Sequence, residues 1–134
     1  GIFVKTFSLE ESPPGRSVAF NGIEVAIDDT TTAGYHDTGA IYDLVKPTRN
    51  AMKPAGEWNH AEITANRNII SVNLNGEDVT RIDLAEFTGP HKRPDGTRHK
   101  FDVGYKDHPA KGYIGLQDHG ADLWFKNIKL KPLE

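Results

Sequence analysis

Two stretches of the chain carry side chains suited to acid–base chemistry. In the first, Glu24 and Asp28 sit four positions apart in a segment that alternates apolar and polar residues. On one strand face their Cα atoms would lie about 13 Å apart, too far to share a proton but suited to the two sides of a sugar-sized groove. The bland alternative is a pair of solvated carboxylates on an exposed sheet face. The second stretch is Gln117-Asp118-His119-Gly120. Gln117 and His119 alternate onto one face there, and an imidazole is the default acid or base near neutral pH. The alternative is a turn histidine capped by Asp118.

Other clusters are weaker. The six histidines show none of the close pair spacing of a zinc helix, and no cysteine is present to supply a thiolate. A metal held by loop histidines and carboxylates stays open. His60 reads as structural or solvated. The segment 91–100 brings together Lys92, Arg93, Arg98 and Lys100 with two histidines. It reads first as a solvated Pro-Asp-Gly turn and second as a lid offering cations to a substrate oxygen. Tyr35 and Tyr42 could stack on a sugar, whereas Trp58 and Trp124 read as core residues.

These groups need strands to hold them, and the chain is rich in strand signals. Residues 2–7 are β-branched and aromatic, 9–16 form a Pro/Gly loop, and 23–28 alternate with Ile23, Val25 and Ile27 on one side. A short strand is expected at 40–42. Strands at 58–65 and 69–74 flank a turn at Arg67-Asn68. Asn75-Gly76 then marks a type I′ hairpin leading into 79–84, because both central positions of that turn need positive φ. Residues 83–87 suit a single helical turn. Strands at 112–118 and 121–130 close the chain, the last with apolar residues on both faces. Loops at 29–56 and 88–109 are long for a compact domain, which points to binding loops. About seven short strands without a confident helix predict an all-β antiparallel sandwich forming a single domain over 1–134.

Composition narrows the function. Sixteen Lys and Arg against nineteen Asp and Glu leave a formal charge of −3, which offers no basic field for nucleic acid. No apolar run approaches the roughly 20 residues of a membrane span.

A set of short motifs occurs in order: Gly1-Ile2-Phe3, Asn21 through Asp29, Thr38-Gly39-Ala40-Ile41-Tyr42, Lys53 through Asn59, Leu74-Asn75-Gly76 and Gly112 through Gly120. Together they resemble the 3-keto-disaccharide hydrolase domain family, whose fold is a concanavalin-like jelly roll. Ala26 and Lys5 depart from the family pattern, which has Gln and Arg there. Lys5 keeps the charge but not the bidentate fork.

The resemblance implies a carbohydrate substrate already oxidised at carbon 3. That ketone acidifies the carbon-2 proton, so a base can form an enolate that expels the carbon-1 substituent before water adds. Such a route needs a base, an oxyanion stabiliser and an acid for the leaving group. With the shared strand faces, the resemblance assigns Glu24 and His119 as the acid/base pair and Lys5 as the oxyanion stabiliser. Asp28, Gln117 and Asp118 would hold hydroxyls, with His36 and Tyr42 lining the groove. No cofactor is assigned, and a divalent metal in place of Lys5 stays open. The competing reading is a non-catalytic, lectin-like carbohydrate-binding module. The resemblance also implies a periplasmic or secreted protein, and a chain that corresponds to the C-terminal portion of a family domain. An edge left open by an absent N-terminal segment would then favour self-association.

Overall fold

The computed structural model describes residues 1–8 and 22–133. The loop expected at 9–16 and the residue Asn21 lie outside them. Among the described residues six strands form two antiparallel three-stranded sheets: β1 (Ile2–Thr6), β2 (Ile23–Val25) and β6 (Tyr113–Leu116) in the order β2-β1-β6, and β3 (Ala61–Asn66), β4 (Ile69–Leu74) and β5 (Glu77–Asp83) in the order β3-β4-β5. The expected all-β antiparallel architecture is therefore what the chain adopts, with one 3₁₀ turn at Leu84–Glu86 as its only helical element among the described residues.

The second sheet follows the sequence closely. Alternation along β4 buries Ile70, Val72 and Leu74 at no more than 3% exposure. Asn75 and Gly76 take φ of +54° and +87°, as the type I′ turn requires. A register shift opposite Val72 and Asn73 lets β5 bury Val79 and Thr80 in succession. The Thr80 hydroxyl then donates to the Gly39 carbonyl at 2.6 Å, which satisfies it inside the core. Asp83 caps the 3₁₀ turn by accepting from the Ala85 N–H, as the expected helical turn at 83–87 needs.

In the first sheet, Ile2 pairs with Val25, Phe3 with Glu24 and Val4 with Ile23. Paired residues share a face, so Val4, Ile23 and Val25 enter the core while Glu24 faces away from it. Between Phe3 and Thr6 the register to β6 shifts, and Lys5 sits in that bulge with φ of +51°. Gly112 lies against it, where a Cβ would stand 2.6 Å from the Lys5 carbonyl carbon.

The core joins both sheets to the long loops. Ile41 is fully buried, bridging Val25 on one side and Val45 on the other, so the strand expected at 40–42 is reduced to a single rung. Phe87, Phe101 and Tyr105 complete the apolar centre. Burying side chains of this size contributes about 1.5–3 kcal/mol each.

Two expectations need correction. Residues 121–130 form no strand, and Leu123, Trp124, Ile128 and Leu130 are 41–75% exposed. An alternating pattern forms a strand only when a neighbour supplies the ladder, and no ladder forms there among the described residues. Trp58 is likewise half exposed rather than buried, because β3 begins only at Ala61; the Lys126 ammonium sits 4.1 Å from its ring centroid.

Candidate functional site

Glu24 is held by the centre of β2, on the face opposite the core. Its side chain folds over Gly1: a Cβ on that glycine would overlap Glu24 Oε1 and lie 2.8 Å from its Cγ. Burial raises the Glu24 carboxyl above its ordinary value. Lys100, His119 and His36 pull it back down through their charge. A half-buried carboxylate ringed by groups able to give or take protons is the arrangement expected of a general acid or base.

The surrounding groups come from three parts of the chain. Gln117 follows β6, and its Oε1 accepts from the Gly1 nitrogen at 3.1 Å while its backbone N–H bonds the Gly1 carbonyl at 3.0 Å. His119 lies two residues on, exposed, within electrostatic reach of Glu24. Tyr42 donates its backbone N–H to the Glu24 carbonyl at 2.8 Å, which fastens the first long loop to β2. The His36 ring stacks on Tyr42 with centroids 4.5 Å apart and planes 22° from parallel. From the second long loop, the Lys100 ammonium sits 4.2 Å from the Tyr42 ring centroid. Glu24, His36, Tyr42, Gln117 and His119 thus lie in one region of the fold.

Lys5, Asp28 and Asp118 are not part of that cluster. The bulge interrupts the alternation that would have put Lys5 beside Glu24, and its ammonium donates instead to the Arg67 carbonyl in the β3–β4 turn. Burial holds the Lys5 ammonium below its ordinary range. Asp28 falls beyond the end of β2, so the alternation does not extend to it. One oxygen accepts from the Thr38 N–H and hydroxyl, both at 3.1 Å, and the other from the Thr30 hydroxyl at 2.9 Å. That carboxylate braces the first loop. Asp118 accepts from the Gly120 N–H at 2.9 Å, as a turn cap would.

The loop 91–100 contains the turn expected of it. Its tip is a solvated turn, with Asp95 accepting from the Thr97 N–H and hydroxyl. Two residues beside the tip are buried, Arg93 at 6% and His99 at 1% exposure, while the exposed Lys100 lies within electrostatic reach of Glu24. Sequence reasoning grouped Arg93 and Lys100 among loop cations but passed over Asp43, which anchors both. The only sequence signal was its place immediately after the Ile41-Tyr42 motif. Among the described residues no three His, Asp or Glu side chains are grouped so as to hold a metal ion. None of the described helices is long and apolar enough to cross a membrane.

Two concavities lie away from Glu24. One, about 420 Å³, covers the polar face of the second sheet between Glu62, Ser71, Asn73 and Asp78. The other, about 340 Å³, lies beside Tyr35, Lys46 and Arg93. Neither brings a half-buried carboxylate against the proton donors that surround Glu24, so the Glu24 cluster is the better candidate.

Residues 1–131 match the model of the 3-keto-alpha-glucoside-1,2-lyase-like domain. A 3-keto-disaccharide hydrolase of Bacteroides thetaiotaomicron is 31% identical over 105 residues, which cover 72% of this chain and 36% of the relative. The chain therefore spans little more than a third of that protein. A crystal structure of a protein assigned as a glycosyl hydrolase from Parabacteroides distasonis superposes with a TM-score of 0.77 at 30% identity, over 90% of this chain and 63% of that one. With the family model matching nearly its whole length, the chain belongs to the 3-keto-alpha-glucoside-1,2-lyase-like domain family.

Proposed function

We propose that this chain acts on 3-keto-glycosides by elimination and hydration, a net hydrolysis, with Glu24 as the base that removes the carbon-2 proton. The observation that carries this reading is the half-buried Glu24 carboxyl, raised by burial and ringed by Lys100, His119 and His36. In the first step the Glu24 carboxylate takes the carbon-2 proton, and the electron pair moves onto the carbon-3 oxygen as an enolate. Lys100 replaces Lys5 as the cation proposed to stabilise that oxygen, because the Lys5 ammonium is committed to Arg67. In the second step the enolate re-forms the ketone and expels the carbon-1 substituent, whose oxygen takes a proton from His119. Neutral His119 then takes a proton from the water that adds to carbon 1 of the unsaturated sugar, and the protonated Glu24 gives its proton back to carbon 2, which restores both groups. Gln117 and the stacked His36–Tyr42 rings would hold the sugar.

Product formation from 3-keto-trehalose or a 3-keto-glucoside, with and without chelator, tests the reading. Product is expected from the wild type and a loss of about 10²–10⁴-fold from Glu24→Gln. Because the carboxyl is raised, the acidic limb of the kcat/KM profile is expected above 4.5, the ordinary glutamate value. Product abolished by chelator would replace Lys100 with a metal as the Lewis acid.

The stacked, partly exposed His36–Tyr42 rings beside an open Glu24 also suit a non-catalytic sugar-binding surface. Binding of 3-keto-glycosides without turnover on any of them would select that reading. The periplasmic or secreted location proposed with either reading rests on the family resemblance alone.

A further inference from the structure

We propose that Asp43 is the positioning residue of the Glu24 site, fixing the tautomer of His36 and the backbone of Lys100 through one carboxylate. The inference rests on the catalytic reading above.

Asp43 sits in the turn between the Ile41 and Val45 rungs with φ of +57°. Aspartate tolerates that left-handed conformation better than most residues. Its N–H bonds the Tyr35 carbonyl at 2.9 Å, and its own carbonyl accepts from Arg93 Nε at 3.2 Å and Nη2 at 2.7 Å. The carboxylate is nearly buried, at 13% side-chain exposure. Oδ1 accepts from Arg93 Nη2 at 3.0 Å and meets His36 Nε2 at 3.1 Å; Oδ2 accepts from the Lys100 backbone N–H at 2.6 Å.

Arg93 cannot serve a substrate in this arrangement. Besides Asp43, its guanidinium donates to the Thr97 hydroxyl and the Arg98 carbonyl, and it stacks 3.8 Å from the Tyr35 ring centroid. It holds the second long loop against the first. His36 differs, because its side chain is 58% exposed and only its Nε2 is engaged by Asp43. A carboxylate only accepts, so the imidazole must carry its proton on Nε2 when neutral, leaving Nδ1 as the nitrogen able to take a proton. Stacking on Tyr42 fixes the ring plane, and Tyr42 is bonded through its backbone to Glu24. Through Lys100, the same carboxylate also holds the cation proposed for the enolate. A carboxylate behind an imidazole fixes its tautomer and orientation, and losing such a partner behind a metal-bound imidazole typically costs about 10–100-fold, a scale carried over to this exposed ring.

The test combines a readout independent of activity with kinetics. Two-dimensional ¹⁵N–¹H spectra of ring-labelled wild type at a pH where His36 is neutral are expected to show the Nε2–H tautomer. Asp43→Asn should yield a mixture of tautomers and a fall in kcat of about 10–100-fold with KM within about threefold. His36→Ala leaves the Asp43–Arg93 contact in place and should lower kcat with little change in melting temperature, which supplies a second readout if Asp43→Asn folds poorly. An Nδ1–H tautomer in the wild type would overturn the proposal, as would unchanged kcat in His36→Ala. If the wild type turns over no 3-keto-glycoside, the spectra still decide the positioning role while the catalytic reading fails separately.

Discussion

The two long loops and the C-terminal stretch reverse what their sequences lead one to expect. Residues 34–52 and 88–108 have almost no regular secondary structure, yet they bury Ile41, Leu44, Arg93, His99, Phe101 and Tyr105. Residues 121–130 alternate like a strand, yet Trp124 is 70% and Leu130 75% exposed. The loops gain their order from hydrogen bonds that converge on fixed points: Asp43 to Arg93 and Lys100, His91 to the Phe101 carbonyl, and Tyr105 to the Phe87 carbonyl. Each satisfies a polar group that burial would otherwise leave at a cost of about 1–3 kcal/mol. The C-terminal stretch has the apolar side chains of a strand and, among the described residues, no ladder that would use them.

If the loops are held by convergent polar anchors, breaking an anchor should cost more than removing an exposed apolar side chain. The largest effect on stability is expected from Arg93→Ala, which strips the partner from a nearly buried carboxylate. It should cost about 3–5 kcal/mol in chemical denaturation. A loss below 1 kcal/mol would mean that the loop half is held by its apolar residues alone.

Gly1→Ala probes the seam between the loops and the first sheet. Its Cβ would displace the Glu24 carboxyl, and a shift of that size should lower activity by about 100-fold while the loop contacts stay intact. Activity equal to wild type would show that Glu24 has a second productive position.

The buried histidines should give the loop half an acid sensitivity. Burial, then the Arg93 charge, lowers the His99 pKa below 6.5, and burial lowers that of His108, whose Nε2 contacts the Lys5 carbonyl at 2.8 Å. For a group depressed in the fold, stability is complete above 6.5 and is lost as pH falls through the folded value. The melting temperature should therefore drop between pH 7 and 5, and His99→Leu should flatten that drop. Glu24 has the opposite sign: its raised carboxyl favours the fold at acid pH and weakens it as pH rises through the folded value. Glu24→Gln should thus melt no lower than wild type at pH 7 even as activity is lost.

The smallest stability effect is expected in the C-terminal stretch. Trp124→Ser and Ile128→Ser should change stability by no more than about 0.5 kcal/mol. Their apolar side chains are proposed instead to drive association between copies of this chain, so sedimentation of the double variant should show less concentration-dependent self-association. Equal association by wild type and variant would remove that role.

Much of the second sheet was legible because local rules sufficed. The β4 alternation, the Asn75-Gly76 turn and the Asp83 cap each depend on a few neighbouring residues. Glu24, Gln117 and His119 were legible as candidates from strand position and from the family motifs. Lys5 and Asp28 were misplaced for related reasons: alternation was carried through a bulge in one case and past a strand end in the other. Asp43 and Lys100 were not legible as a pair, because the contact between them spans 57 residues and leaves no local pattern.

The sequence by itself therefore determined the all-β class, the hairpin turns and the family, since periodicity, turn chemistry and motifs act over short distances. Only the tertiary structure decided which charges meet. Whether a lysine faces Glu24 or Arg67, and whether an aspartate braces a loop or anchors a histidine, depends on contacts between distant segments. Burial strengthens those contacts because low local polarity makes each unpaired charge costly.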